Sequence, residues 1–396
     1  MPEVQRLRER LQADTACGAL AGAVVLVTRR GQVAWHEAFG LEDSARACPM
    51  QLHSVFRIAA MTRPIVAVTA LALVEEGWLA LGDAVADHLP EFARVQVGVE
   101  RVDANGERSL SLRPPVRPMT VLDLLRHTSG LTYGMFGDSL VQRMYRAAGV
   151  MEADQDNAQM ARKLAALPLQ CDPGAQFEYG MSTDLLGSVL EVVSGRALDE
   201  LVAQYVTGPL GLADTGFRVN PRHGAGIARA RSGAGVPPPV LFDYDPARPP
   251  RWCSGGAGLL STAADYARFC EMLLQGGTLD GVRVLSRESV DSMLADHLPP
   301  GIAFGASTPC LGINAPTPAL GQGHGLGVGV RCQPKLAPVP GSVGDFFWGG
   351  ALGTYFWADP RQQLVAVLML QDNDMAVRAR YRELLRHAVY AAPDSH

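Results

Sequence analysis

The stretch FRIAAMTRPIVAVTALALVEEG, Phe56–Gly77, has the setting of a catalytic helix start without its reagents. A hydroxyl in the first turn of a buried helix and an amine one turn later would share a helix face, the spacing a nucleophile and its base can use. Here those two positions hold Ala60 and Arg63. Alanine attacks nothing, and a guanidinium stays charged at every usable pH, so it is no general base. Other reactive side chains offer little in their place. The cysteines at 17, 48, 171, 253, 270, 310 and 332 show no CxxC spacing and read as reduced, packed thiols. Cys253, in RWCSGGAGLLS, sits beside a glycine-rich turn and is the alternative nucleophile. The histidines show neither HxH nor HExxH spacing, so no metal and no cofactor is expected.

The elements around these residues follow from pattern. MPEVQRLRERLQADTACG is a charged amphipathic helix with Val4, Leu7 and Leu11 on one side; it lacks the apolar run of a signal peptide. AGAVVLVTRRGQVAWHEAFG gives two β-rich runs around an Arg-Gly turn, a hairpin signal. A helix follows from about Ala59 to Glu76, with Pro64 in its first turn and Gly77 as its stop. From 78 to 315 the chain reads as mostly helical, with helices over 182–195 and 261–277 and a long Gly/Pro/Arg-rich loop over 224–252. Strand signals return in GLGVGVRCQP, DFFWGGALGTYFWADP and QLVAVLMLQ, and a last helix covers about 374–391. Strands at both ends with helices between predict one antiparallel sheet built from both termini, flanked by helices, an α/β (α+β) sandwich. The expected division is 1–77 and 316–396 for the sheet domain and 78–315 for a mostly helical inserted region, with a cleft between them.

Composition is consistent with an ordinary globular chain. The 396 residues are 47% hydrophobic and 19% charged, with a net charge of -5, which excludes disorder and gives no surface for nucleic acid. No run of eighteen apolar residues exists, so no membrane span is expected, and a cytoplasmic location follows from that and from the cysteines. The oligomeric state is left open.

Four motifs occur in order. They are the helix start Phe56–Pro64; LLRHTSGL, Leu124–Leu131; PGAQFEYG, Pro173–Gly180; and the strand Trp348–Gly350, followed by GTYFWADP. Together with SGGAGLLSTAADYARF they resemble the serine β-lactamase and penicillin-binding-protein family over roughly residues 20–390, closest to class C β-lactamases and the esterases of that fold, with the S-x-x-K motif degenerate. The resemblance implies a serine-β-lactamase-like fold and a carboxylic ester or amide hydrolase with a small carbonyl compound as ligand. Position by position, Ala60 matches the serine, Arg63 the lysine and Tyr179 the tyrosine that shares proton traffic. The oxyanion hole falls to the backbone N–H groups of Ala60 and Ala351. Trp348, Gly349 and Gly350 match the substrate-facing strand. Tyr133 and Trp252 are aromatic candidates for substrate contact, and Tyr355 is balanced between contact and packing. His127 and Ser129 lie in the second motif and read as structural. Gly180 and Met181 depart from the family's usual residues.

Three readings stay open on the sequence. Ala60 is an engineered replacement of a catalytic serine and the rest is a hydrolase; or the chain performs non-acylating chemistry (lyase, isomerase or retro-aldol type), with Tyr179 as acid/base and Arg63 as an anion clamp; or the cleft binds a ligand without turnover. Trp348 in place of the third-motif lysine resembles the esterase branch and predicts weak or absent β-lactam hydrolysis.

Overall fold

The computed structural model describes residues 2–223, 226–231, 245–248 and 250–391. The loop expected over 224–252 therefore lies largely outside the described residues. An eight-stranded antiparallel sheet carries the fold. Its first three strands come from the N-terminal part: β1 (Gly22–Arg29), β2 (Gln32–Asp43) and β3 (Cys48–Pro49). Five come from the C-terminal part: β4 (Gln322–His324), β5 (Gly329–Arg331), β6 (Phe346–Gly349), β7 (Tyr355–Asp359) and β8 (Leu364–Leu370). The order is β4-β5-β6-β7-β8-β1-β2-β3, so the two ends of the chain meet at the β8/β1 seam, with Val24 opposite Met369 and Leu26 opposite Val367.

Strand residues alternate between two cores, as the two-residue period requires. Val24, Leu26, Trp348, Phe356, Val365 and Val367 face the inner, larger core. Ala23, Val25, Val27, Phe347, Tyr355, Trp357 and Leu368 face an outer core. The outer face is closed by α1 (Pro2–Ala16), through Leu7 and Leu11, and by the C-terminal helix Met375–Tyr390, through Tyr381, Leu385 and Val389. A sheet covered on both faces explains why β1, β7 and β8 read as nearly continuous apolar runs.

Helix α2 (Thr62–Glu75) runs through the inner core. Every residue from Thr62 to Leu73 is buried, as expected of a helix with no polar face. It contacts α3 (Ser182–Ser194), whose last turn ends at Gly195 in the left-handed region, φ 69°. Helix α4 (Ala263–Leu274), capped by the Thr262 side chain, lies on β1, β7 and β8. The C-terminal helix, Met375–Tyr390, is α5. Several short strands went unread in the sequence, β3 and β4 among them. Val97–Val102 and Arg108–Arg113 pair as a two-stranded ribbon within the helical region.

Candidate active site

The start of α2 is fixed from three sides. A short 3₁₀ turn, Ala59–Met61, precedes it, and Ala59 sits in the left-handed region, φ 46°. The Thr62 hydroxyl accepts from Leu259 N at 3.0 Å, and Tyr266 Oη donates to Met61 O at 2.9 Å. Thr354 Oγ1 donates to Ile58 O at 3.1 Å, tying the turn after β6 to the same point. Gly350 makes that approach possible: a Cβ there would stand 2.2 Å from Thr354 Oγ1 and 2.5 Å from Ile58 O. Gly350 N also donates to Thr354 O at 2.8 Å. The result brings Ala60 and Ala351 to one cleft. Neither of their N–H groups donates to another backbone carbonyl among the described residues. In Ala60 this is the free donor that every helix start leaves over.

Arg63 lies one turn down, only 1% exposed. Its Nε donates to Gly256 O at 3.2 Å, its Nη1 to His127 Nε2 at 2.9 Å and its Nη2 to Tyr133 Oη at 2.6 Å. The guanidinium also stacks 4.1 Å from the centre of the Tyr179 ring. Burial opposes its charge, but Tyr133, Tyr179 and the buried Asp184 more than offset this and hold its pKa above the ordinary arginine value. All three guanidinium nitrogens are thus engaged inside the protein, which leaves little of Arg63 for clamping a ligand. Arginine only donates, so His127 Nε2 is an acceptor and the ring proton sits on Nδ1, which has no partner. Burial, then the charge of Arg63, then His324 push His127 well below the usual histidine range. His127 is a neutral structural acceptor.

Tyr179 lines the cleft and packs on His127, Tyr133 and Trp348. Burial raises its pKa, against the pull of Arg63. Desolvation outweighs the guanidinium charge, and Tyr179 stays protonated at neutral pH. Behind it, Glu178 accepts from Thr132 Oγ1 at 2.6 Å. Gly180 has a steric cause, because a Cβ would meet Leu131 O at 2.4 Å and Thr132 Cα at 2.5 Å.

Ala60, Arg63, Tyr133, Tyr179, Trp348, Gly349, Gly350 and Ala351 all line one cleft. Trp252 does not: it is packed elsewhere, with Nε1 donating to Asn157 Oδ1 at 3.0 Å. Tyr355 faces the outer core and accepts from Arg386 Nε at 3.0 Å. Ser129 is buried against Ser182 at 2.8 Å. Cys253 is outside the cleft, and burial pushes its thiol up to about 12, which removes it as a nucleophile. The remaining walls were not foreseen. Gly256 and Ala257 form one, Cys310–Asn314 another, and Met375, Arg378, Ala379 and Arg382 of α5 a third. Arg378 and Arg382 are four apart, a helical-face spacing visible in the sequence.

Among known proteins, the Beta-lactamase family profile matches residues 7–391. Protein Rv1367c of Mycobacterium tuberculosis is 36% identical over 375 residues, covering 91% of this chain and 88% of its own. Esterase EstB of Burkholderia gladioli is 32% identical over 405 residues, covering 98% and 93%. The solved structure of EstCE1, described as a hydrolase with promiscuous acyltransferase activity, superposes with a TM-score of 0.76 at 27% identity, covering 98% of this chain and 99% of that one. The profile spans nearly the whole chain, and the sheet, the helix start and the glycine strand stand where the motifs put them: the chain belongs to the beta-lactamase family.

Proposed function

We propose that the protein binds a small ester- or amide-type carbonyl compound in this cleft and, as it stands, forms no acyl-enzyme. The observation that supports this reading is the pair of uncommitted N–H groups at Ala60 and Ala351, set beside a methyl group in place of a hydroxyl. Such a pair serves a carbonyl oxygen without help from side chains. Loss of the corresponding nucleophile in a serine protease costs on the order of a million-fold in rate. EstB and EstCE1, both named for ester or acyl chemistry, support a carbonyl compound as ligand. The reading of Tyr179 as a base with Arg63 as anion clamp finds less support, since the phenol is held protonated and the guanidinium is engaged.

The test is a burst assay with p-nitrophenyl butyrate, together with intact-mass analysis after a fluorophosphonate probe. The expected result is no burst and no adduct. The double variant Ala60→Ser/Arg63→Lys is expected to gain both, whereas Ala60→Ser alone gains far less because no base is restored. A stoichiometric burst from the unmodified chain would sink the proposal. The active double variant is expected to leave nitrocefin essentially intact, since Trp348 stands where a lysine would be; fast nitrocefin turnover would refute that part.

A further inference from the structure

The cleft carries more positive charge than an uncharged ester needs. Arg63 lies at its floor, and Arg378 and Arg382 line the α5 wall. No aspartate or glutamate among the described residues lines it. The carboxylate that acts on Arg63, Asp184, sits behind the Gly256 loop, where it accepts from Gly256 N at 3.1 Å and from Ser254 Oγ, while Asp372 and Asp374, outside the lining, act on Arg378. Arg382 is incompletely satisfied. Its Nη2 donates to Gly350 O at 2.7 Å and Thr354 O at 3.1 Å, but its Nε is buried without an acceptor. Arg378 Nε is buried and unpartnered too. Burial, opposed by Tyr355 and reinforced by Arg378, brings Arg382 down to about 10.

The departures at 60 and 63 fit the same ligand. An ester carbonyl presents one oxygen to the N–H pair. A carboxylate presents two, and the second needs the space that a serine hydroxyl would fill. Ala60 leaves that space open, beside Tyr179, whose retained proton is a donor. A lysine one turn down can lose its charge; Arg63 cannot. Met135, Phe136, Met151 and Leu311 make the rest of the lining apolar. We infer that the cleft is a site for the carboxylate of an apolar monocarboxylic acid, held by the N–H groups of Ala60 and Ala351 in the field of Arg63, Arg378 and Arg382. This rests on the reading above that the cleft is a ligand site, and it names the ligand class.

The experiment is calorimetric titration of the full chain, at low ionic strength, with phenylbutyrate, its methyl ester and its primary amide. The acid is expected to bind roughly tenfold or more tightly than either neutral form, by an amount that salt reduces. Ala60→Ser is expected to weaken the acid roughly tenfold and the ester by much less, and Arg378→Gln to weaken the acid more than the ester. If the ester or amide binds as well as the acid, the inference fails and the proposed function stands. If the acid preference survives both substitutions, the carboxylate lies elsewhere and the inference is again overturned. If none of the three compounds binds, the ligand-site reading falls together with it. Thermal melts of both variants, expected within a few degrees of the parent, separate lost binding from lost folding.

Discussion

A guanidinium at position 63 changes what the neighbouring residues are for. With an amine there, His127 and Tyr133 would surround a group able to trade protons. With Arg63 they are acceptors for a permanent cation, and His127 is obliged to keep its proton on Nδ1. Shortening the side chain to lysine breaks a three-point fit. Arg63→Lys is therefore expected to destabilise by about 2 kcal/mol, the cost of leaving buried polar groups short of a partner. Urea denaturation checks this; an unchanged midpoint would show that the three bonds contribute nothing net. Of this constellation, the sequence disclosed that Ala60, Arg63, Tyr133, Tyr179 and Trp348 share one cleft. It did not disclose that Tyr179 stays protonated, because that depends on how completely the ring is desolvated, and burial is a property of the packed fold.

At the scale of elements, the cleft depends on one close approach, that of the turn after β6 to the residues before α2. Gly350→Ala places a methyl against Ile58 O and Thr354 Oγ1 and must separate the two. The expected outcome is a destabilisation of about 1–3 kcal/mol and loss of ligand binding, read by melting and titration together. Retention of both would mean that the turn adapts freely. The strands and α2 were legible because their apolar runs and glycine stops are local signals. The ribbon at 97–113 also had a period-two pattern in RSLSLR, but its charged, exposed residues masked it. The walls at 310–314 and on α5 were invisible for another reason: Gly312 breaks a 3₁₀ stretch with φ 55°, ψ -128°, and nothing in a helix pattern says which face a distant loop will meet. Trp252 was placed wrongly because nearness to a family motif in sequence does not fix the direction of a side chain; its indole is held by Asn157.

At the scale of the molecule, the two-faced sheet leaves buried groups that must stay neutral. His324 on β4 is 1% exposed, donates from Nδ1 to Gly325 O at 2.7 Å and meets the His127 and Trp348 rings. Burial, partly offset by that bond, lowers its pKa from 6.5 to about 3. The unfolded chain then takes up a proton below pH 6.5 that the folded one refuses. The contribution is fully present above that value and is lost as pH falls, at about 1.4 kcal/mol per pH unit. His324→Gln keeps a donor and removes the titration, so its stability is expected to fall less steeply between pH 6 and pH 4 than that of the parent. Parallel slopes in urea titrations across this range would contradict the assignment.

The β8/β1 seam has a further consequence for how the protein comes into being. Ala60 and Ala351 line one cleft, yet about three-quarters of the chain lies between them. On a ribosome, α2 emerges long before the residues that fix its first turn: Leu259 and Tyr266 come next, and Thr354, in the turn after β6, later still. The cleft then closes only when the last strand, β8, docks on the first. No nascent fragment that lacks α5 presents the complete cleft lining, so a small molecule that needs all of it can act only on the full-length chain.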